Sequence, residues 1–109
     1  MSNQLAKSYL NESSKLDGEN YIDWKFKILT ICEGWNVWSI VNGDELKPIG
    51  VAGMDWEKLE TKSKMLLRMS VKDNVIPHIR DYKMSKETWK VLKYLYETIN
   101  SNHILFLEN

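Results

Sequence analysis

Residues 20–35 read NYIDWKFKILTICEGW. Tyr21, Trp24, Ile28, Ile31 and Trp35 recur in this stretch at steps of three and four, the spacing that lines one face of an α-helix. Asn20 is a favoured N-cap residue, and Asp23 in the following turn suits the positive end of the helix dipole. Gly34 stands where a helix-ending glycine belongs. The stretch predicts a helix from about Tyr21 to Glu33. Its apolar stripe must be covered by other elements, and no segment of the chain alternates with period two, so the covering elements are expected to be helices as well.

Upstream, Leu16-Asp17-Gly18-Glu19-Asn20 is turn chemistry, with Gly18 able to take a positive φ. Residues 1–15 are polar, rich in Ser, Asn and Lys, and read as a flexible tail. Downstream, Trp35, Trp38, Ile40 and Val41 predict a short second helix ending at Asn42-Gly43. Gly43, Pro48, Gly50 and Gly53 then punctuate the longest loop, residues 43–54. Asp55 is expected to cap a third helix. Its inner face would be Trp56, Leu59, Ser63, Leu66 and Ser70, with Leu67 beside them. Lys58, Lys62, Lys64, Arg68 and Lys72 would lie opposite, and Glu60 with Lys64 makes an i,i+4 pair of the favourable order. The third helix should stop near Lys72, because Pro77 follows and biases Ile76 away from helical geometry. Asp73 is placed to cap a short helix from Val75 to Ile79. Ser85 is placed to cap the last one, with Met84 and Trp89 at hydrophobic-staple positions. Trp89, Leu92, Tyr96 and Ile99 share its stripe. Asn100-Ser101-Asn102 breaks it, and residues 101–109 read as the start of a truncated carboxyl-terminal helix. The expectation is a compact all-α bundle of about five helices over residues 16–100.

Composition narrows the function. The 109 residues suffice for one domain. Lysine plus arginine and aspartate plus glutamate number 15 each, a formal net charge of zero. Dedicated nucleic-acid binders carry a basic excess, whereas a neutral chain lacks the long-range repulsion that keeps copies apart. No apolar run approaches the length of a bilayer span, and residues 1–14 lack a signal-peptide core. A cytoplasmic location without membrane association is expected. Five tryptophans against two prolines point to uninterrupted elements anchored by large side chains.

Read in order, the residues resemble a known family. Leu16, Asp17, Gly18, Asn20, Tyr21 and Trp24 open the match. Trp38, Val41 and Gly43 continue it, Trp56 begins its central helix, and Asp73 and Ile79 match the turn beyond. Lys86, Glu87, Trp89, Leu92 and Tyr96 close it. This ordered set is similar to the amino-terminal part of the capsid region in copia-type LTR-retrotransposon Gag proteins. It departs at Ser63, Ser85 and Thr88, where the family often has other small residues. The resemblance implies a helical capsid-type domain that self-associates into virus-like particles enclosing element RNA. The motif core it carries over is Leu16, Gly18, Tyr21, Trp24, Trp38, Trp56, Trp89, Leu92 and Tyr96. The family's second capsid half and Cys-Cys-His-Cys zinc knuckle have no counterpart in these residues, so RNA contact is expected of a full-length protein rather than of this region.

The residues offer little to catalysis. Cys32, His78 and His103 are far apart and include no close-spaced metal-ligand pair. Cys32 lies on an apolar helix face, where a free cysteine behaves as a small hydrophobe. There is no nucleophile elbow or phosphate loop, and Asp44-Glu45 reads as solvated loop charge. The chain is read as non-enzymatic, with no cofactor and no small-molecule substrate. Trp24, Trp56 and Trp89 read as core anchors with their indole N–H groups satisfied nearby. Trp35 and Trp38 are candidates for a self-association contact. Lys64, Arg68 and Lys72, at i,i+4,i+8, read as a solvated face or as a surface for RNA or an acidic partner. The partners expected are other copies of the chain. A domesticated adaptor for another protein, and an RNA-binding module, are the competing readings.

Overall fold

The computed structural model describes residues 11–97, which form five helices and no strand. They are α1 (Tyr21–Gly34), α2 (Trp38–Val41), α3 (Ala52–Met69), α4 (Ile76–Ile79) and α5 (Ser85–Leu92). A π-helical turn, Lys93–Glu97, continues α5. The all-α expectation holds. The residues of the expected flexible tail from 11 onward include a 3-10 turn, Glu12–Ser14, capped by the Asn11 side chain. Residues 1–10, Ile99 and the expected break and terminal helix lie outside the described residues.

The predicted stripe of α1 is its buried face. Tyr21, Trp24, Ile28 and Ile31 are buried, and Cys32 joins them. Its end differs from expectation. The left-handed residue is Asn36 (φ 59°), not Gly34. The Val37 N–H donates to the Cys32 carbonyl and the Asn36 N–H to the Glu33 carbonyl, the paired bonds that close a Schellman turn. Asparagine tolerates this region better than other side chains. Trp35 therefore caps α1 rather than opening α2, which holds only four residues.

Asn20 also differs. It precedes α1, but its side chain makes no cap bond. It turns back instead: its Oδ1 accepts from the Asp17 N–H and its Nδ2 donates to the Lys15 carbonyl. The Asp17 carboxylate in turn accepts from the N–H groups of Glu19 and Asn20. Gly18 (φ 105°) makes this turn possible.

α3 starts at Ala52, three residues before Asp55, without a side-chain cap. Gly53 allows the start: a Cβ there would lie 2.6 Å from the Pro48 carbonyl oxygen. The helix ends at Met69, ahead of Lys72. The bias before proline does not expel Ile76, which is the first residue of α4, where the missing N–H of Pro77 removes a donor that has no helical partner anyway.

Leu16 is fully buried and clamps the exit of α3. Its N–H donates to the Ser70 carbonyl, and its own carbonyl accepts from the Lys72 N–H. The same Ser70 carbonyl accepts from the Trp24 indole. One acceptor thus joins the entry of the domain, α1 and the end of α3.

Candidate functional site

The expected i,i+4 pair of Glu60 and Lys64 does not form. Glu60 is buried and reaches α5: its carboxylate accepts from the Ser85 backbone N–H at 2.6 Å and from the Ser85 hydroxyl at 2.9 Å. Ser85 is therefore not the cap but the first residue of α5, and Glu60 caps the helix from outside. This geometry joins α3 to α5 with charge-assisted bonds. The spacing of Glu60 to Lys64 hid it, because a helical pair and a tertiary cap look alike in sequence.

Most of the motif core converges in space. Rings follow one another in a file: Tyr96 stacks on Tyr21 (centroids 6.3 Å apart), Tyr21 tilts on Trp24 (5.8 Å), Trp24 stacks on Trp89 (5.8 Å), and Trp89 meets Trp38 edge-on (5.3 Å, 87°). Leu16 and Leu92, both fully buried, belong to the same core. Gly18 closes one end of the file, since a Cβ there would sit 3.2 Å from the Tyr96 ring. Such ring pairs each add about 0.5–1.5 kcal/mol beyond simple burial.

Trp56 stands apart. It is buried but outside that core, and its Nε1 is a buried donor without a hydrogen-bond partner. The expectation of a satisfied indole holds for Trp24 and fails for Trp56. Trp35 and Trp38 are each half-buried against the core and occupy different places. The Lys62 ammonium lies 4.3 Å from the Trp35 ring centroid, a cation–π contact. Trp38 faces Trp89.

Lys64, Arg68 and Lys72 do not make one continuous face. The Arg68 guanidinium donates to the Tyr82 carbonyl. Lys72 lies beyond the helix and approaches Asp17 at 3.9 Å. Lys64 is half-buried.

A different basic surface is present, which sequence reading missed. An open groove of about 610 Å³ is floored by Trp38, Trp89 and Leu29 and edged by Lys25, Lys86, Lys90 and Lys93, with Glu87, Asn42 and Gly43 completing its wall. Lys25 is paired with Glu97 at 3.1 Å. Lys86 and Lys90 are exposed and form no ion pair with any described residue. The signal was the Lys86, Lys90, Lys93 spacing along α5 and into the π-helical turn that continues it, which is the period of one helix face.

Beside the groove, Glu97 ties the π-helical turn after α5 to α1. Its burial favours the neutral acid, but hydrogen bonds from Tyr21 and Lys25, with the charges of Lys25 and Lys93, outweigh that and hold its pKa below the usual carboxylate value. Burial, followed by the bond to Glu97, raises the Tyr21 phenol. Burial pushes the Cys32 thiol up to about 12, which favours the protonated thiol over the thiolate at neutral pH. Among the described residues no group of three His, Cys, Asp or Glu side chains is arranged to hold a metal ion, and no helix is long and apolar enough to cross a membrane. No protein-family model, curated protein or solved structure matches the chain.

Proposed function

We propose that the chain is a structural assembly domain, the amino-terminal part of the capsid region of a copia-type retrotransposon Gag protein. Its copies self-associate in the cytoplasm into particles that enclose element RNA. The observation that supports this reading is the aromatic file. Five residues of the motif, spread from Tyr21 to Tyr96, pack ring against ring, with Leu16 and Gly18 at the entrance. An ordered set of motif residues that shares one packing unit is what a common fold requires, and it leaves the outer helix faces and loops for contacts between copies. Neutral net charge supports the same reading.

The test is sedimentation velocity over a concentration series near physiological salt. Reversible dimers or larger species are expected. A sedimentation coefficient that stays monomeric at every concentration would count against assembly by this domain. A domesticated adaptor is a second reading, favoured by the exposed apolar residues Leu46, Ile49 and Val51 on the loop before α3. Such a domain would stay monomeric and bind a different protein. RNA binding through Lys64, Arg68 and Lys72 has less support, because two of the three are engaged within the domain.

A further inference from the structure

The groove on α5 and the loop before α3 have opposite character. The groove offers Lys86, Lys90 and Lys93 around the Trp38–Trp89 floor. The loop offers Asp44 and Glu45, followed by Leu46 (70% exposed), Ile49 (100%) and Val51 (81%). The loop is built rather than slack. The Glu45 N–H donates to the Ser39 carbonyl, and its carboxylate accepts from the Ser39 hydroxyl. Lys47 pairs with Glu57 of α3 at 2.8 Å, and the Pro48 carbonyl rests against Gly53. These ties hold the start of the loop to α2 and its later part to α3, and neither acid pairs with a groove lysine of its own chain.

We propose that the groove receives the 44–51 loop of a second copy of this chain, with Asp44 and Glu45 facing Lys86 and Lys90 and the apolar side chains of the loop covering the indole floor. The proposal rests on the assembly reading above and names its contact. Charge complementarity selects the occupant: an acidic, apolar-tipped segment fits a basic, aromatic-floored groove, and the chain itself carries one. Adjacency sets the symmetry. Asn42 and Gly43 line the groove and directly precede Asp44, so donor and acceptor are neighbours on one face. Two copies that exchange loops about a two-fold axis then satisfy both contacts at once and close as a dimer.

The experiment compares three proteins by sedimentation velocity: the unaltered chain, a groove variant (Lys86→Glu with Lys90→Glu) and a loop variant (Asp44→Lys with Glu45→Lys). All the changed residues are exposed, and circular dichroism with thermal melts checks that each variant folds. Each variant alone should associate at least about ten-fold more weakly than the unaltered chain, because like charges now meet. Mixed in equal amounts, the two should associate about as tightly as the unaltered chain, since one interface has both charges reversed and the other is native. Self-association that neither reversal changes would overturn the groove contact while leaving the assembly reading in place. A strictly monomeric unaltered chain would overturn both. A groove variant that loses affinity for a fluorescent oligouridylate but keeps its self-association would make the groove a nucleic-acid surface and overturn the proposal.

Discussion

At the scale of single residues, the two buried tryptophans that head α1 and α3 are chemically unequal. Trp24 donates to the Ser70 carbonyl, whereas the Trp56 indole has no partner. Changing Trp24→Phe removes one of the two hydrogen bonds to the Ser70 carbonyl, which keeps the Leu16 N–H, and should cost more stability, by about 1 kcal/mol, than Trp56→Phe, which removes an unsatisfied donor. Paired urea titrations measure the difference. Glu60 carries a larger share. Glu60→Ala leaves the buried N–H and hydroxyl of Ser85 unsatisfied, at about 1–3 kcal/mol each before relaxation, while Glu60→Gln keeps an acceptor and should lose less. Equal losses from the two substitutions would mean that the cap contributes little. Cys32 reports opening of the core. It is fully buried, so a thiol reagent should modify it at least about a hundred-fold more slowly in buffer than in denaturant, as each ~1.4 kcal/mol of opening free energy slows access ten-fold.

At the scale of elements, the turn from Leu16 to Asn20 and the end of α5 stabilise each other. Gly18→Ala should destabilise by about 1–3 kcal/mol, because it places a side chain at φ 105° and presses a methyl on Tyr96. The pH dependence has a defined sign. Glu97 is held below its ordinary value of 4.5, so its contribution is complete above that pH and fades as pH falls through the folded value. Asp17, lowered by the Glu19 N–H against its desolvation and helped by the Asn20 N–H and Lys72, behaves alike. Tyr21 is raised above 10.0, so its contribution is complete below that pH and fades above it. Stability should therefore plateau between about pH 5 and 9, and Glu97→Gln should flatten the acid limb in denaturant midpoints measured against pH.

The elements were largely legible because helical periodicity states which side of a helix is inward. Tyr21, Trp24, Ile28 and Ile31 needed no other information. The ends were less legible. Asn20, Asp55 and Ser85 are all good caps by type, yet none caps with its side chain, since Asn20 serves the preceding turn, α3 starts at Ala52, ahead of Asp55, and Glu60 serves α5. Capping type is a local preference, and here tertiary partners outbid it. The basic groove was illegible for a related reason. Its lysines lie on one helix face, but its floor joins Trp38 to Trp89 across fifty-one positions, and only the fold brings them together.

At the scale of the whole molecule, the domain separates its duties. The aromatic file and the Leu16 clamp hold the helices, while the exposed apolar loop and the lysine-edged groove lie outside that framework. Substitutions on the two surfaces should change association and leave melting almost unmoved. Trp38 and Trp89 are the exceptions, since both belong to the file and to the groove floor. Trp38→Leu is expected to weaken both, read as a lower melting temperature together with weaker sedimentation-derived affinity.

The turn that leads into α1 and the π-helical turn after α5 clasp one another. Tyr21 donates to Glu97, and Gly18 lies against Tyr96. A helical domain whose entry turn and closing turn meet is topologically close to a ring, and the position of the break in a ring is arbitrary. The covalent order can then be rewritten. Joining residue 97 to residue 16 through a short glycine-serine bridge, and opening the backbone between Pro48 and Ile49, should yield a permuted protein that still folds. Its new termini would fall at the very tip that a second copy is proposed to grip, so folding without partnership is the outcome this closure makes available.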